Sequence, residues 1–128
     1  MASTGVAGVR DTFNINGAGS ADAIHLTANG SDVLVAGLAA TVNVRGNNGD
    51  ALVVNGNGGD DVIDATGNLA ALTQLTIDGG SGNDQVSGGN GADLLIGGSG
   101  NDFIDGQQGN DTVQLGSGDD RFVWNPGD

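Results

Sequence analysis

The sequence predicts an all-β fold, a right-handed parallel β-roll in which short strands stack in successive coils. Glycine-rich turns recur along the chain, and each is followed by a short segment with one apolar position. The last turns recur at a step of nine residues. Such short strands cannot bury an apolar face alone, so neighbouring units must stack to form a core. The right hand follows from the general preference of parallel crossover connections.

An aspartate marks each repeating unit. All sixteen acidic residues are aspartates, and nine of those that precede a large apolar residue by two positions mark the units. The three residues after a turn read polar, apolar, polar or nearly so, which is typical of a short strand that buries one side chain. The nine aspartates are Asp22, Asp32, Asp50, Asp61, Asp84, Asp93, Asp102, Asp111 and Asp120.

The nine-residue step predicts how the last five units stack. Nine residues form half a coil, so two units complete a coil of eighteen residues. Stacked strands lie about 4.7–4.9 Å apart and calcium takes oxygen ligands at about 2.3–2.6 Å, so an ion fits between stacked turns. Without an ion, carboxylates of one edge repel each other from rung to rung. The metal is therefore expected to be part of the fold.

The turns before these aspartates match the nonapeptide G-G-x-G-x-D-x-U-x, in which U is a large apolar residue. Five consecutive copies begin at Gly79, Gly88, Gly97, Gly106 and Leu115. The chain therefore resembles the repeats-in-toxin family, also called hemolysin-type calcium-binding repeats. The resemblance implies a parallel β-roll module that binds about three to five Ca²⁺ ions. The expected metal-binding residues are Asp61, Gly79, Ser81, Gly82, Asp84, Gly88, Asn90, Gly91, Asp93, Gly97, Ser99, Gly100, Asp102, Gly106, Gln108, Gly109, Asp111, Ser117, Gly118 and Asp120.

The N-terminal half is expected to continue the same solenoid with wider coils. Segments 37–46 and 68–79 are two similar insertions, each an alternating strand that leads into a turn. The turns before Asp61 are incomplete, so calcium is expected from Asp61 onward. A site between Asp61 and Asp93 is included in this expectation. The expected columns are Asp22, Asp50, Asp84, Asp102 and Asp120 on one edge, and Asp32, Asp61, Asp93 and Asp111 on the other.

The chain is predicted to comprise four segments. These are an N-terminal leader over 1–10, a degenerate wide-coil part over 11–78, a regular calcium β-roll over 79–123 and a truncated end over 124–128. The chain is expected to be a fragment of a larger protein, in which neighbouring modules are the partners. Phe122 and Trp124 are expected to cover the end of the apolar column.

Composition restricts the class of protein. The chain has 128 residues, 26 glycines and no cysteine, which suits a turn-rich solenoid without disulfides. Its formal net charge of −13 makes nucleic acid and anionic lipid poor partners. No apolar run is long enough for a membrane span or a signal peptide. The family resemblance implies type I secretion from bacteria, so a secreted, extracellular location is expected.

The sequence also bears on several alternatives to a calcium-binding module. A disordered linker would not place apolar residues so regularly after aspartate. An EF-hand needs a glutamate, and zinc needs more ligands than the single His25. An adhesive or ice-binding face would need a ladder of similar residues, which Ser87, Ile96, Asp105, Gln114 and Val123 do not form. An accessory module of a polysaccharide-modifying enzyme or protease is a further alternative, with no catalytic residue expected in this chain.

Overall fold

The computed structural model describes residues 12–29, 32–37, 42–45, 50–66 and 72–123. All regular elements in these ranges are β-strands, and the described residues include no apolar helix of membrane-spanning length. The segments 1–10 and 124–128, with Trp124, lie outside these ranges. The strands are β1 (Thr12–Asn16), β2 (Ala23–Asn29), β3 (Asp32–Ala36), β4 (Val42–Arg45), β5 (Asp50–Asn55), β6 (Val62–Thr66), β7 (Leu72–Ser81), β8 (Gln85–Ser87), β9 (Leu94–Ser99), β10 (Phe103–Asp105), β11 (Thr112–Ser117) and β12 (Arg121–Val123).

The strands form two sheets, and from β5 to β12 each strand belongs to the sheet opposite that of the strand before it. The five-stranded sheet has the order β1-β5-β7-β9-β11, and the seven-stranded sheet has the order β12-β10-β8-β6-β2-β3-β4. All pairs in the five-stranded sheet are parallel, as are the pairs from β12 to β2 in the other sheet. This alternation is the strand order that a parallel β-roll requires.

In the C-terminal part, aligned residues of paired strands are eighteen positions apart. Ile77 aligns with Leu95, and Leu95 aligns with Val113. In the seven-stranded sheet Val86 aligns with Ile104. Aligned residues are farther apart in the chain toward the N-terminus, and Asp61 and Asp84 are separated by 23 positions. Longer strands account for this larger separation, because β6 and β7 have 5 and 10 residues where β8 and β9 have 3 and 6.

The core lies where the apolar faces of both sheets meet. Alternate residues of β2, β3 and β5 to β10 are buried, as the period-two pattern predicts. Each of these strands contributes only one or two apolar residues to the core, so the core extends along the stack of strands. The buried apolar residues are Ile24, Leu26, Val33, Val35, Leu52, Val54, Ile63, Ala65, Leu75, Ile77, Val86, Leu95 and Ile104.

The columns expected for Asp32, Asp50 and Asp61 are wrong, whereas Asp22 lies on the edge expected for it. Asp50 begins β5 in the five-stranded sheet, whereas Asp84 precedes β8 in the seven-stranded sheet. Asp32 begins β3, which returns antiparallel to β2 and places Asp32 opposite Asn29. The strands β3 and β4 stay in the sheet of β2, so this segment does not advance the chain to the opposite edge. Asp61 shares an edge with Asp84, and not with Asp93, because β7 of the five-stranded sheet lies between Asp61 and Asp84 in the chain and no aspartate directly precedes β7.

The two insertions in the N-terminal half do contain strands, but these strands have different positions in the fold. The segment 37–46 contains β4, which pairs antiparallel with β3 at the edge of the seven-stranded sheet. The segment 68–79 contains most of β7, which pairs parallel with β5 and β9 inside the five-stranded sheet. Only the second insertion therefore continues the parallel stack.

Candidate metal centre

The turns between the sheets stack in two columns. Turn column A contains the turns 17–22, 56–61, 79–84, 97–102 and 115–120, which lead from the five-stranded into the seven-stranded sheet. Turn column B contains the turns 88–93 and 106–111, which lead in the opposite direction. Each of these turns ends in an aspartate directly before a strand, so the parallel pairing of the strands also aligns the aspartates.

The close stacking of turns explains why glycine recurs at their fourth position. Gly100 has a φ of +129°, which L-residues with a side chain rarely adopt. A Cβ at Gly100 would also overlap the carbonyl oxygen of Gly82 in the preceding turn. The main-chain N–H of Gly100 donates a hydrogen bond of 2.9 Å to the carbonyl oxygen of Ser117 in the next turn. The glycine therefore allows adjacent turns to hydrogen-bond through their main chains.

One oxygen of each aligned aspartate links adjacent turns. The main-chain N–H of Asp84 donates to Oδ1 of Asp102 at 2.9 Å, and that of Asp102 donates to Oδ1 of Asp120 at 2.9 Å. In turn column B, the N–H of Asp93 donates to Oδ1 of Asp111 at 3.0 Å. These bonds confirm the predicted stacking of the five C-terminal turns.

The same hydrogen bonds continue to the N-terminal turns of turn column A. The N–H of Asp61 donates to Oδ1 of Asp84 at 2.9 Å, and the N–H of Asp22 donates to Oδ1 of Asp61 at 2.8 Å. Turn column A therefore joins Asp22, Asp61, Asp84, Asp102 and Asp120. The sequence-predicted pair of Asp61 with Asp93 is not formed.

The second carboxylate oxygen has no protein partner at four of these positions. The Oδ2 atoms of Asp61, Asp84, Asp93 and Asp102 are buried without a hydrogen bond. These side chains are only 1–6% exposed to solvent. A buried polar oxygen without a partner costs about 1–3 kcal/mol, and more when the group is charged. The arrangement therefore requires a cation or a proton at each of these oxygens.

Main-chain carbonyl oxygens of the next turn lie on the same side as these Oδ2 atoms. A Cβ atom added to Gly79 would lie 2.5 Å from Oδ2 of Asp84 and 2.8 Å from the carbonyl oxygen of Gly97, so both oxygens face the same small space. A Cβ atom added to Gly88 would lie 3.0 Å from both Oδ2 of Asp93 and the carbonyl oxygen of Gly106. Carboxylate and carbonyl oxygens are the ligands that calcium prefers.

Burial makes these carboxylates weaker acids in the metal-free chain. Burial raises the pKa of Asp93 to about 7, and the charge of Asp111 adds to this effect. Burial also raises the pKa of Asp84 to about 6, although the hydrogen bond from the N–H of Asp61 opposes the rise. The pKa of Asp61 and that of Asp102 are raised for the same principal reason. A bound cation would favour the charged form instead.

The sites cannot be clusters of three acidic side chains. Among the residues that the structure describes, no three histidine, cysteine, aspartate or glutamate side chains are grouped so that they could hold one ion. A metal site here must combine aspartates with main-chain oxygens of the turns. This explains why glycine, serine, asparagine and glutamine positions belong to the predicted ligand set.

The predicted residues fall into stacked pairs of turns. In turn column A, Gly79, Ser81, Gly82 and Asp84 stack on Gly97, Ser99, Gly100 and Asp102, and these stack on the turn that holds Ser117, Gly118 and Asp120. In turn column B, Gly88, Asn90, Gly91 and Asp93 stack on Gly106, Gln108, Gly109 and Asp111. Asp61 stands at the N-terminal side of Asp84, in the turn that begins at Gly56.

A second set of hydrogen bonds in turn column A has no counterpart in the sequence prediction. Oδ1 of Asp60 accepts from the N–H of Asn83, and Oδ1 of Asn83 accepts from the N–H of Asn101, both at 2.8 Å. Oδ1 of Asn101 accepts from the N–H of Asp119 at 2.9 Å. The signal in the sequence is an Asn or Asp directly before each aligned aspartate of these turns.

The turns that carry these aspartates match a known repeat pattern. The pattern of the RTX calcium-binding nonapeptide repeat matches the chain in four copies over residues 53–68, 76–95 and 87–122. The chain belongs to this RTX repeat family. The matched residues include all four aspartates with an unpartnered Oδ2, and RTX repeats bind calcium. No curated protein and no solved structure matches the chain. The turn 17–22 precedes the first matched RTX segment.

Proposed function

We propose that this RTX chain is a calcium-binding structural module of a secreted bacterial protein, built as a right-handed β-roll that folds on extracellular calcium. The observation that carries the proposal is the set of buried Oδ2 atoms at Asp61, Asp84, Asp93 and Asp102. Each of these oxygens faces a carbonyl-lined gap between two stacked turns, and calcium is the ion that such oxygen ligands suit.

The proposed number of ions is four, one for each unpartnered oxygen. In turn column A, Asp61, Asp84 and Asp102 would each supply Oδ2 together with the first carbonyl oxygen of the following turn. Those carbonyl groups belong to Gly79, Gly97 and Leu115. In turn column B, Asp93 would act with the carbonyl oxygen of Gly106. Four divalent ions would offset more than half of the formal net charge of −13.

The effect of the ions on folding follows from linkage. Calcium, when bound, supplies positive charge to oxygen atoms that otherwise repel each other across the turns. The aspartates hold the ion only when the turns are stacked, so calcium stabilises the folded form by about 2.7 kcal/mol per site at a hundredfold excess over its dissociation constant. Four coupled sites in one stack make folding steep in calcium concentration.

The secreted location is proposed from the same linkage. Calcium modules that act outside cells have dissociation constants of about 10⁻⁴–10⁻³ M, so they stay empty at the low calcium levels of a cytosol. A repeat region with these affinities would remain unfolded before export and fold outside the cell. The chain has no cysteine, so calcium would take the stabilising role that disulfides have in many secreted proteins. We assign no catalytic role to this module and expect neighbouring modules as its partners.

The experiment is a calcium titration of the full chain, starting from chelator. Circular dichroism follows strand formation, and calorimetry counts the ions, with magnesium as the control because it demands a tighter octahedral site. We expect about four calcium ions and a cooperative gain of β signal that magnesium does not produce. The variant Asp102→Asn should lose at least one ion, because it neutralises an aligned carboxylate.

The matched control is Asp64→Asn, which makes the same chemical change on a partly exposed strand residue outside both turn columns. This control should bind as many ions as the parent chain. Equal calcium stoichiometry in Asp102→Asn and Asp64→Asn would contradict the proposed sites. Binding of magnesium with the same affinity and the same β signal would contradict selectivity for calcium.

A further inference from the structure

In the five-stranded sheet, the positions aligned with the aspartates of turn column B are apolar in the N-terminal strands and acidic in the C-terminal strands. Asp93 directly precedes Leu94, which aligns with Thr76, so the residue stacked beside Asp93 is Leu75. Leu75 aligns with Leu52, and Leu52 aligns with Phe13. Leu52 and Leu75 are almost fully buried. The first three strands of the five-stranded sheet therefore place hydrocarbon where the later strands place a carboxylate.

The facing positions in the seven-stranded sheet change in the same direction. Leu26 aligns with Ala65, and both side chains are buried. Ala65 follows Asp64, the partner of Ser87, so the next residue in this column is Gly88. A Cβ on Gly88 would lie 3.0 Å from Oδ2 of Asp93. Near the N-terminus, apolar side chains fill the space between these two facing columns. Farther along the stack, carboxylate oxygens occupy the equivalent space.

The first turn of turn column A also differs from those that follow. Oδ2 of Asp22 accepts a hydrogen bond of 2.6 Å from the main-chain N–H of Ala18, within its own turn. The equivalent oxygens of Asp61, Asp84 and Asp102 have no such bond. The turn 17–22 therefore satisfies its carboxylate without a metal ion.

The two ends of the stack are covered to different extents. At the N-terminal end, β3 and β4 extend the seven-stranded sheet beyond β2, and Val33 and Val35 are fully buried. At the other end of this sheet Phe122 is 36% exposed. In the five-stranded sheet the two edges are alike, because Phe13 in β1 and Val113 in β11 are both partly buried. Apolar burial in the seven-stranded sheet is thus greater at the end where the carboxylates are fewest.

We propose that the N-terminal strands β1 to β6, with residues 72–77 of β7, fold without calcium and act as a template on which the calcium-dependent strands β8 to β12 assemble. The N-terminal strands have a buried apolar core and a metal-independent first turn. The turns before the later strands contain Asp84, Asp93 and Asp102, whose buried oxygens oppose folding until an ion is bound. Asp61 lies within the N-terminal part, but the Gly79 carbonyl group that faces its Oδ2 belongs to the part that assembles with calcium. The templating part of this inference rests on the proposed calcium function.

The test is hydrogen exchange of the full chain, read by mass spectrometry in chelator and in calcium. In chelator, we expect amides of β2 and β5 to exchange at least tenfold more slowly than an unstructured chain, and amides of β9 to β12 to exchange within twofold of it. In about 10⁻³ M calcium, all these strands should be protected. Uniform exchange along the chain in chelator, whether fast or slow, would overturn the inference.

A matched pair of core variants tests the template itself. Val54 and Val113 occupy the same inward column of the five-stranded sheet, through Ile77 and Leu95. Val54→Ala should reduce the protection of β2 and β5 in chelator at least tenfold, and should raise the calcium concentration that protects β9 at least threefold. Val113→Ala should leave the protection of β2 and β5 in chelator unchanged within twofold.

The outcomes separate this inference from the proposed function. If Val54→Ala leaves the calcium midpoint of β9 unchanged, the template is overturned while calcium binding stands. If β8 to β12 do not respond to calcium in the parent chain, the proposed function fails, and the templating claim fails with it. If Val54→Ala does not fold, the hydrogen exchange of the parent chain in chelator still tests whether the N-terminal strands fold without calcium.

Discussion

Asp84 and Asp102 are 18 residues apart in the chain, and the main-chain N–H of Asp84 donates a 2.9 Å hydrogen bond to Oδ1 of Asp102. Each aligned aspartate thus uses one oxygen to connect two turns, while Oδ2 of Asp84 remains buried without a partner. One side chain therefore has both a structural and a metal-binding role. Substitutions in the turns can separate these roles when stability and calcium binding are measured together.

The glycine at the fourth position of a turn is not expected to tolerate replacement by a residue with a side chain. We predict that Gly100→Ala destabilises the calcium-bound protein by more than about 2 kcal/mol, because its φ of +129° disfavours alanine and a Cβ would overlap the carbonyl oxygen of Gly82. Urea unfolding in calcium measures the loss. The control is Gly19→Ala, where no atom lies within 4 Å of the added Cβ, and its effect should be within about 0.5 kcal/mol. Equal effects of the two substitutions would argue against close turn stacking.

Removal of an aligned carboxylate should affect the neighbouring turn as well as the metal. We predict that Asp84→Ala destabilises the calcium-bound protein by about 2–3 kcal/mol from the hydrogen bond alone, since the N–H of Asp61 loses its acceptor. Loss of a ligand should increase this effect when calcium is limiting. Asp64→Ala, which removes a carboxylate from a partly exposed strand position, should change the free energy of unfolding by about 0.5 kcal/mol or less. A smaller loss in Asp84→Ala than in Asp64→Ala contradicts the assignment.

The regular part of the chain could be predicted because its period is constant. A step of nine residues fixes both the strand and the edge for Asp84, Asp93 and Asp102, so sequence spacing alone gives their neighbours. The same rule failed for Asp32, because an aspartate two residues before an apolar residue also occurs where a strand turns back in an antiparallel pair. Spacing does not distinguish a return within one sheet from a crossing to the other. Asp61 was assigned to the wrong edge for a second reason, since the chain crosses to β7 in the other sheet and no aspartate marks that crossing.

The residues that bind calcium stay a prediction, whereas the contacts between their turns are seen in the structure. Asp84 and Gly97 both belong to the predicted ligand set, and Oδ2 of Asp84 and the carbonyl oxygen of Gly97 both lie close to Gly79. The hydrogen bonds made by Asp60 and Asn83 were not expected. Their geometry depends on how one turn is displaced relative to the next, and this displacement is a tertiary property that the repeat period does not contain.

Stability in chelator should depend on pH in the direction opposite to that of most acidic proteins. Burial raises the pKa of Asp84 to about 6 and that of Asp93 to about 7, so the folded chain binds more protons than the unfolded chain between the ordinary aspartate pKa of 3.8 and about 7. The folded form in chelator should therefore be most stable at the acidic end of this range and lose stability as the pH rises through it. Because β8 to β12 are expected to be unfolded in chelator at neutral pH, circular dichroism in chelator at several pH values across this range measures the loss of strand signal.

Calcium should reverse this dependence on pH. Calcium requires the charged carboxylates, so its affinity should fall as the pH is lowered below about 7, and calorimetry at pH 5.5 and 7.5 would show the change. The variant Asp93→Asn should flatten the pH dependence in chelator, because it removes a carboxyl group whose pKa burial raises to about 7. A strand signal that rises with pH in chelator contradicts the buried, metal-free carboxylates.

The hydrogen bonds at the fifth turn position should stabilise turn column A independently of charge. Asn101 accepts a bond from the N–H of Asp119 and donates its own N–H to Oδ1 of Asn83. We predict that Asn101→Ala destabilises the calcium-bound protein by about 1 kcal/mol, because one neutral acceptor is lost while the donor keeps access to water. The net charge does not change, so the number of bound calcium ions should remain the same.

The control for this variant is Asn110→Ala, at the fifth position of a turn in turn column B, where the side chain is exposed. Its effect on the free energy of unfolding should be within about 0.5 kcal/mol. If Asn101→Ala instead lowers the calcium stoichiometry without changing stability at saturating calcium, Asn101 belongs to the ligand set and not to the bonds between turns. The two turn columns would then differ in how they hold the ion, since turn column B has Ala92 at the equivalent position.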